Sequence, residues 1–280
     1  MIRTAKQLKD KVRNLSGGDN ERAKMLIRCF MMERFLERLA LSKYRENFIL
    51  KGGMLVSSMV GVDMRSTMDI DTTVKALPLN ERDAERIIRE ICEIPTEDGI
   101  SFEIISVKRI MEDFDYPGIR MMLEARLERM RQSVKIDIST DDAITPSAAE
   151  YAYKLMFEDR TISLAAYNTE TLLAEKIQTI LTRGTANTRL RDFYDVYELT
   201  EKYGKDIDAP IMRQAFAATC KKRETPYERE EAEKILSAVR ADEEMAAMWK
   251  RYSEKNYYVQ DLTWERAAES VAEALKRCFD

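Results

Sequence analysis

Two aspartates one residue apart, Asp69 and Asp71 in "MDIDTTV", follow a glycine pair, Gly52-Gly53, that closes the apolar run "FILKGG". In a strand, period two puts Met68, Ile70, Thr72 and Val74 on one face and Asp69, Asp71 and Thr73 on the other. Side chains two positions apart lie about 7 Å apart along a strand, so these carboxylates repel each other unless a cation sits between them. A hard divalent ion suits the position, because Mg²⁺ is commonly held by one or two carboxylates with substrate phosphates and water completing its shell. The glycines fit the same chemistry. They let the backbone approach a triphosphate closely, and the following "MLVSSMV" can begin a helix whose first N–H groups face an anion.

A third carboxylate lies further on. In "VKIDIS", Val134, Ile136 and Ile138 alternate with Lys135, Asp137 and Ser139. If this strand lies beside the Asp69–Asp71 strand, Asp137 completes a triad able to hold metal ions and to orient or deprotonate an attacking hydroxyl. Each feature alone has a plainer reading: a glycine pair as a turn, Asp-x-Asp as a solvated strand face, Asp137 and its lysine as a surface ion pair. Their order along the chain makes the combination more specific than its parts.

The elements that must position these residues are readable in outline. From Glu21 to Leu41, apolar residues recur at three- and four-residue steps, with Asp19 or Asn20 as cap, which predicts an amphipathic helix. From Phe48 to about Ile144, short runs of period two ("MDIDTTV", "SFEIISVKRI", "GIRMMLEARL", "SVKIDIS") predict a sheet. One helix, from Asn80 to Cys92, interrupts it. After Thr145-Pro146 the helical period is expected to hold almost to Asp280, with Gly184 and Gly204 at C-caps and Pro210 and Pro226 starting new elements. The expected fold class is α+β: a mixed sheet flanked by helices over residues 1–150, then a helical bundle over 151–280.

Composition narrows the chemistry. The 280 residues contain no histidine, which removes Ser-His and Cys-His nucleophile pairs and imidazole metal ligands. Cys29, Cys92, Cys220 and Cys278 are scattered, so neither a zinc cluster nor a disulfide framework is indicated, and a cytoplasmic location is expected. A charged N-terminus and the lack of a long apolar run argue against secretion and membrane spanning. With a net charge of −4, any nucleic acid must be held by a local patch.

The glycine pair, the Asp-Ile-Asp strand and the later Ile-Asp-Ile strand resemble the polymerase beta-like nucleotidyltransferase superfamily. "ERFLERLALSKYRENFILKGGMLVSSMVGVDMRSTMDIDTTV" (33–74) and "FEDRTISLAAYNTETLLAEKIQTILTRGTANTRLRDFYDVYEL" (157–199) resemble, more narrowly, the AbiEii/AbiGii toxins of abortive-infection, type IV toxin-antitoxin systems. The likeness covers roughly residues 20 to 200, and Arg65-Ser66-Thr67 before the Asp pair is typical of this group. It implies a nucleotidyltransferase fold and four motifs: Gly52, Gly53, Asp69 and Asp71; Lys135 and Asp137; Lys176; and Asp192. By this resemblance Asp69, Asp71 and Asp137 hold Mg²⁺ (or Mn²⁺), and catalysis involves these three with Lys176 and Asp192. Nucleotide binding falls to Lys51, Gly52, Gly53, Arg65, Lys135 and Lys176. Leu172, Leu173, Ile177 and Ile180 would bury one side of the helix from Asn168, leaving Lys176 free to reach a phosphate. Arg183, Arg189 and Arg191 form a local basic cluster suited to triphosphate or RNA, and Asp192 and Asp195, three apart on one helix face, could orient Lys176 or an arginine.

The activity so implied is Mg²⁺-dependent transfer of NMP from NTP to an RNA acceptor, such as the 3′ end of tRNA, by a toxin neutralised by an antitoxin encoded beside it. Transfer to a small molecule or a protein hydroxyl would use the same site, and a non-catalytic nucleotide-binding partner protein is the reading from another class.

Overall fold

The computed structural model describes residues 1–61, 65, 67–77, 80–111 and 117–280. Ser66 of the Arg-Ser-Thr run lies outside them. The chain forms two compact units, one of residues 1–141 and 149–166 and the other of 142–148 and 167–280.

The first unit is built on a seven-stranded mixed sheet. Its strands are β1 (Phe48–Lys51), β2 (Asp69–Val74), β3 (Ile100–Met111), β4 (Pro117–Leu127), β5 (Met130–Thr140), β6 (Ala149–Lys154) and β7 (Thr161–Ala166). They lie in the order β3-β4-β5-β2-β1-β7-β6. At the centre, β2 pairs antiparallel with β1 and parallel with β5, the arrangement that the proposed triad requires. The helices of this unit are α1 (Ala5–Ser16), α2 (Asn20–Leu41), α3 (Gly52–Val60) and α4 (Glu81–Cys92). Asp19 starts α2 by accepting the Glu21 and Arg22 N–H groups at 2.8 and 3.0 Å, and Asn80 starts α4 through the Asp83 N–H at 3.0 Å.

The long helix α2 is buried on more than its apolar stripe. Glu33, Arg34, Glu37 and Arg38 are all buried with Phe30, Phe35 and Leu36. Such charges are tolerated only when paired. Arg38 forms a bidentate pair with buried Asp98 at 2.8 and 3.0 Å. Arg34 meets Glu37 at 2.9 Å and Glu158 at 3.2 Å. Glu33 accepts the Met156 N–H at 3.1 Å, and its full burial pushes the carboxyl up to about 7. The Glu33–Met156 and Arg34–Glu158 contacts fasten the turn between β6 and β7 to α2.

That hairpin corrects the sequence reading, which carried helix onward from Pro146. The six-residue strands β6 and β7 pair antiparallel from Ala149↔Ala166 to Lys154↔Thr161. "AEYAYK" holds Ala, Glu and Lys, good helix formers, but Tyr153 and Leu164 alternate into the core and strand pairing prevails. Helix α1 is a second N-terminal helix, ahead of the one whose period is readable from Glu21. Thr4 and Gln7 form a capping box at its start, and Leu8 and Val12 are its buried face.

The second unit is helical: α5 (Thr169–Arg183), α6 (Leu190–Tyr203), α7 (Ala209–Lys222), α8 (Arg229–Ala241), α9 (Glu243–Lys255) and α10 (Trp264–Lys276). Gly184 and Gly204 are the C-caps of α5 and α6, as the sequence predicts. The segment 142–148 joins this unit through Thr145, whose carbonyl accepts from Asn168 Nδ2 at 2.8 Å and Thr171 Oγ1 at 3.2 Å. Leu173, Ile177, Phe193 and Trp264 are buried, with the Phe193 and Trp264 rings 5.0 Å apart. The fold is thus α+β, with the sheet first and the helical bundle after it.

Candidate active site

Register brings the three aspartates together. In the parallel β2–β5 pair, Asp71 stands opposite Asp137 and Asp69 opposite Lys135, while across the antiparallel β1–β2 pair Lys51 stands opposite Asp71. One carboxylate oxygen from each of Asp69, Asp71 and Asp137 lies within 4.8 Å of the others. The two odd-numbered rows legible in the sequence are therefore neighbours on one sheet face, which is the juxtaposition that single-strand reading could state only as a condition.

Three negative charges at this spacing need compensation, and cations supply part of it. Lys135 Nζ lies 2.5 Å from Asp69 and 3.5 Å from Asp137. Arg120 on β4 grips Asp137 with both ends of its fork, Nε and Nη2 each at 2.8 Å. Sequence reasoning missed Arg120. Its only signal is that it lies opposite Asp137 across the β4–β5 ladder, which needs the register to be known. Asp71 is the least compensated of the three. Removal from solvent, with the Asp69 charge next, pushes its carboxyl up to about 6, against the Gly53 N–H and the Lys51 charge. Partial burial works against the ammonium of Lys135, but the Asp69 carboxylate outweighs it and raises the group.

The glycines are explained by packing as well as by any ligand. Gly52 has φ +61°, and a Cβ there would run into the Asp71 carboxylate. A Cβ on Gly53 would come within 2.6 Å of both Arg65 Nη1 and Thr67 Oγ1. The Gly53 N–H, first-turn donor of α3, points at Asp71 Oδ2 at 3.2 Å, so the helix N-terminus faces the carboxylate cluster. Arg65 is buried and donates to the Gly53 carbonyl at 2.8 Å, bracing the turn. Gly52→Ala is accordingly expected to cost about 1–3 kcal/mol from the left-handed backbone alone and to displace Asp71. Thermal unfolding and Mn²⁺ titration of that variant check it, and unaltered metal binding would show that Asp71 does not depend on this turn.

The second unit holds the other sequence-predicted residues. Lys176 does not stand free on a solvent-facing edge. It is buried at 9 % exposure, and its Nζ lies 2.9 Å from Asp192 and 2.6 Å from Asp195, itself at 0 %. The correction has a simple cause: α6 packs on α5, and two carboxylates one turn apart on α6 meet the lysine. Arg183 closes α5, exposed Arg189 precedes α6, and half-buried Arg191 lies in its first turn.

The sequence profile of the family described as nucleotidyl transferase AbiEii toxin, type IV TA system, matches residues 34–277. The chain belongs to the AbiEii family. The match runs through the last 80 residues, where the sequence alone offered no motif, so the whole helical unit is part of the family's architecture. Among solved structures, the nucleotidyltransferase toxin MenT4 of Mycobacterium tuberculosis H37Rv superposes with a TM-score of 0.60 at 16% identity, covering 97% of this chain and 99% of that one. A putative nucleotidyltransferase from H. pylori superposes at 0.50 and 15% identity, over 90% of this chain and 93% of its own. These likenesses establish the fold. No curated protein sequence matches this one. As an AbiEii member the protein is a nucleotidyltransferase of a toxin-antitoxin family, and none of its described helices is long and apolar enough to cross a membrane.

Proposed function

We propose that this protein transfers NMP from an NTP to a hydroxyl of an RNA, with tRNA the leading class, using Mg²⁺ or Mn²⁺ at Asp69, Asp71 and Asp137. The observation that carries the reading is the convergence of these three carboxylates beside the glycine-started N-terminus of α3. The donor set fits a hard cation: all oxygen, three formal charges, and one member, Asp71, whose carboxyl is raised by burial and by the Asp69 charge beside it. When bound, such an ion offsets charge on the phosphates and on the attacking and leaving oxygens.

In the balanced reaction the acceptor oxygen attacks the α-phosphorus, the bond to the β-phosphate oxygen breaks, and pyrophosphate leaves. Asp137, held by Arg120, takes the hydroxyl proton in this reading. Lys51, Lys135 and the α3 N-terminus are suited to phosphate oxygens. Arg65 braces Gly53 in this reading rather than touching nucleotide directly. Lys176 and Asp192, with Arg183, Arg189 and Arg191, are assigned to triphosphate or RNA contacts in the helical part, and the nucleotidyltransferase and helical parts expected near residues 1–150 and 151–280 divide the work in this way. A cognate antitoxin, the partner implied by the family, restrains the activity.

Incubation with each α-labelled NTP and separate pools of RNA, protein and metabolites tests the reading. Label is expected in RNA only when Mg²⁺ or Mn²⁺ is present; label confined to protein or metabolites would overturn the RNA acceptor. The metal assignment carries its own pH dependence. Cations must displace the proton that Asp71 retains below about 6, so calorimetric Mn²⁺ affinity should fall up to about tenfold per pH unit below 6 and level off above about 7. A flat profile from pH 5 to 7.5 would exclude Asp71 as a ligand.

A further inference from the structure

Helix α1 lies outside the carboxylate site, yet its outer face is organised. Leu8 and Val12 are buried, while Lys6, Lys9 and Arg13 recur at steps of three and four and are exposed. The turn between β4 and β5 adds exposed Arg129, and these residues line a groove of about 760 Å³. None of the four cations is ion-paired among the described residues. Two carboxylates share the groove, but Glu128 is turned onto the start of α1, where it accepts the Ala5 N–H at 3.2 Å, leaving Asp10 as the other. Counting four cations against these two acids, the groove carries +2 in a chain whose net charge is −4.

The lining says what fits. Only Ala5 and Met130 are apolar, so there is no aromatic or aliphatic centre of the kind that anchors a protein partner. Lys6 to Arg13 span about 10 Å of helix at 1.5 Å per residue, enough for two or three successive backbone phosphates. The groove also lies at a measurable reach from the chemistry. Strand β5 begins at Met130 in the groove and carries Asp137, seven residues on, into the triad, a run of about 23 Å at 3.3 Å per residue. At about 2.8 Å per step of an A-form RNA stem, that is about eight base pairs.

Resting on the RNA-acceptor reading above, we propose that the groove between α1 and the β4–β5 turn is the docking surface for the phosphate backbone of that acceptor. It grips the RNA about eight base pairs from the end that receives the nucleotide. The surface makes the enzyme selective for acceptors with a stem of that length, and gives a protein of net negative charge a local hold on a polyanion.

The full-length quadruple variant Lys6→Gln, Lys9→Gln, Arg13→Gln, Arg129→Gln tests this, since none of the four belongs to the catalytic machinery. With an RNA stem of twelve base pairs bearing a single-stranded 3′ end, KM should rise at least tenfold with kcat unchanged. The log-log salt slope of RNA binding should flatten by about two to three. With a trinucleotide acceptor, too short to reach the groove, KM should stay where it is. An unchanged KM and salt slope for the long RNA, with wild-type transfer intact, would overturn the docking surface alone. Equal loss with long and short acceptors would overturn it too, as would a parallel loss of binding to polyglutamate, which would mark an acidic protein as the occupant. Absence of transfer to any RNA by the wild-type protein would instead bring down the acceptor reading and the proposal with it.

Discussion

Asp71→Asn is expected to abolish nucleotidyl transfer, by about 10³-fold or more on the scale of removing a charge aimed at the reacting groups, while making the metal-free protein more stable at pH 7.5. The two effects share one cause. Asp71 is buried beside the charges of Asp69 and Asp137, with the Gly53 N–H and the Lys51 charge in its favour, and its carboxyl is held up near 6 against an ordinary value of 3.8. A carboxyl raised in the folded state adds stability when protonated, at low pH. That contribution is lost as pH rises through about 6, so the ionised group is a burden at pH 7.5. Removing its charge should return on the order of 2 kcal/mol, visible as a higher Tm in chelator at pH 7.5 and as a gain that shrinks steadily as pH falls from about 6 towards 3.8. Asparagine keeps an oxygen for the Gly53 N–H, so the turn is preserved. Added Mn²⁺ should stabilise the wild type and not the variant. A variant that is active, or one that is destabilised at pH 7.5 and pH 5 alike, would show that Asp71 is an ordinary structural carboxylate.

The parts of this site that sequence exposes are those written in local period. Alternation in "MDIDTTV" and "VKIDIS" set Asp69, Asp71 and Asp137 on the polar rows of their strands, and β2 and β5 carry them there. What local period cannot state is which strands are neighbours. The parallel β2–β5 pairing joins residues more than sixty positions apart, and it alone turns two rows into a triad. Arg120 was hidden for the same reason, since an arginine in a strand looks like any solvated one until Asp137 is placed beside it. The glycine pair reads in the sequence as room for a ligand, and in the structure Asp71, Arg65 and Thr67 also leave no space there for a Cβ. The misread hairpin Ala149–Ala166 shows tertiary pairing overriding helix-favouring residues. Helices with caps and a clear stripe, such as α2 and α4, fall where expected because their signals are all within one element.

Lys176 is the residue whose substitution should look most unlike its sequence reading. A lysine on a solvent-facing edge could be cut to alanine with little harm to the fold. The observed Lys176 instead neutralises Asp195, which has no solvent exposure, and contacts Asp192 as well. Removing the ammonium leaves an ionised carboxylate buried without its cation, a change that typically costs about 3–5 kcal/mol, so Lys176→Met is expected to unfold at markedly lower urea. Loss of activity in that variant alone would therefore not separate a phosphate contact from a strut. Lys176→Met combined with Asp195→Asn removes both charges of the buried pair, and should recover about 2 kcal/mol or more of the lost stability as the coupling between them. Transfer should stay absent in the double variant, because the amine assigned to the phosphates is still missing while the helical unit is again well folded. Recovered transfer in the double variant would make Lys176 a structural tie between α5 and α6 and nothing more. The catalytic charge of this enzyme would then rest on Lys51, Lys135 and the start of α3.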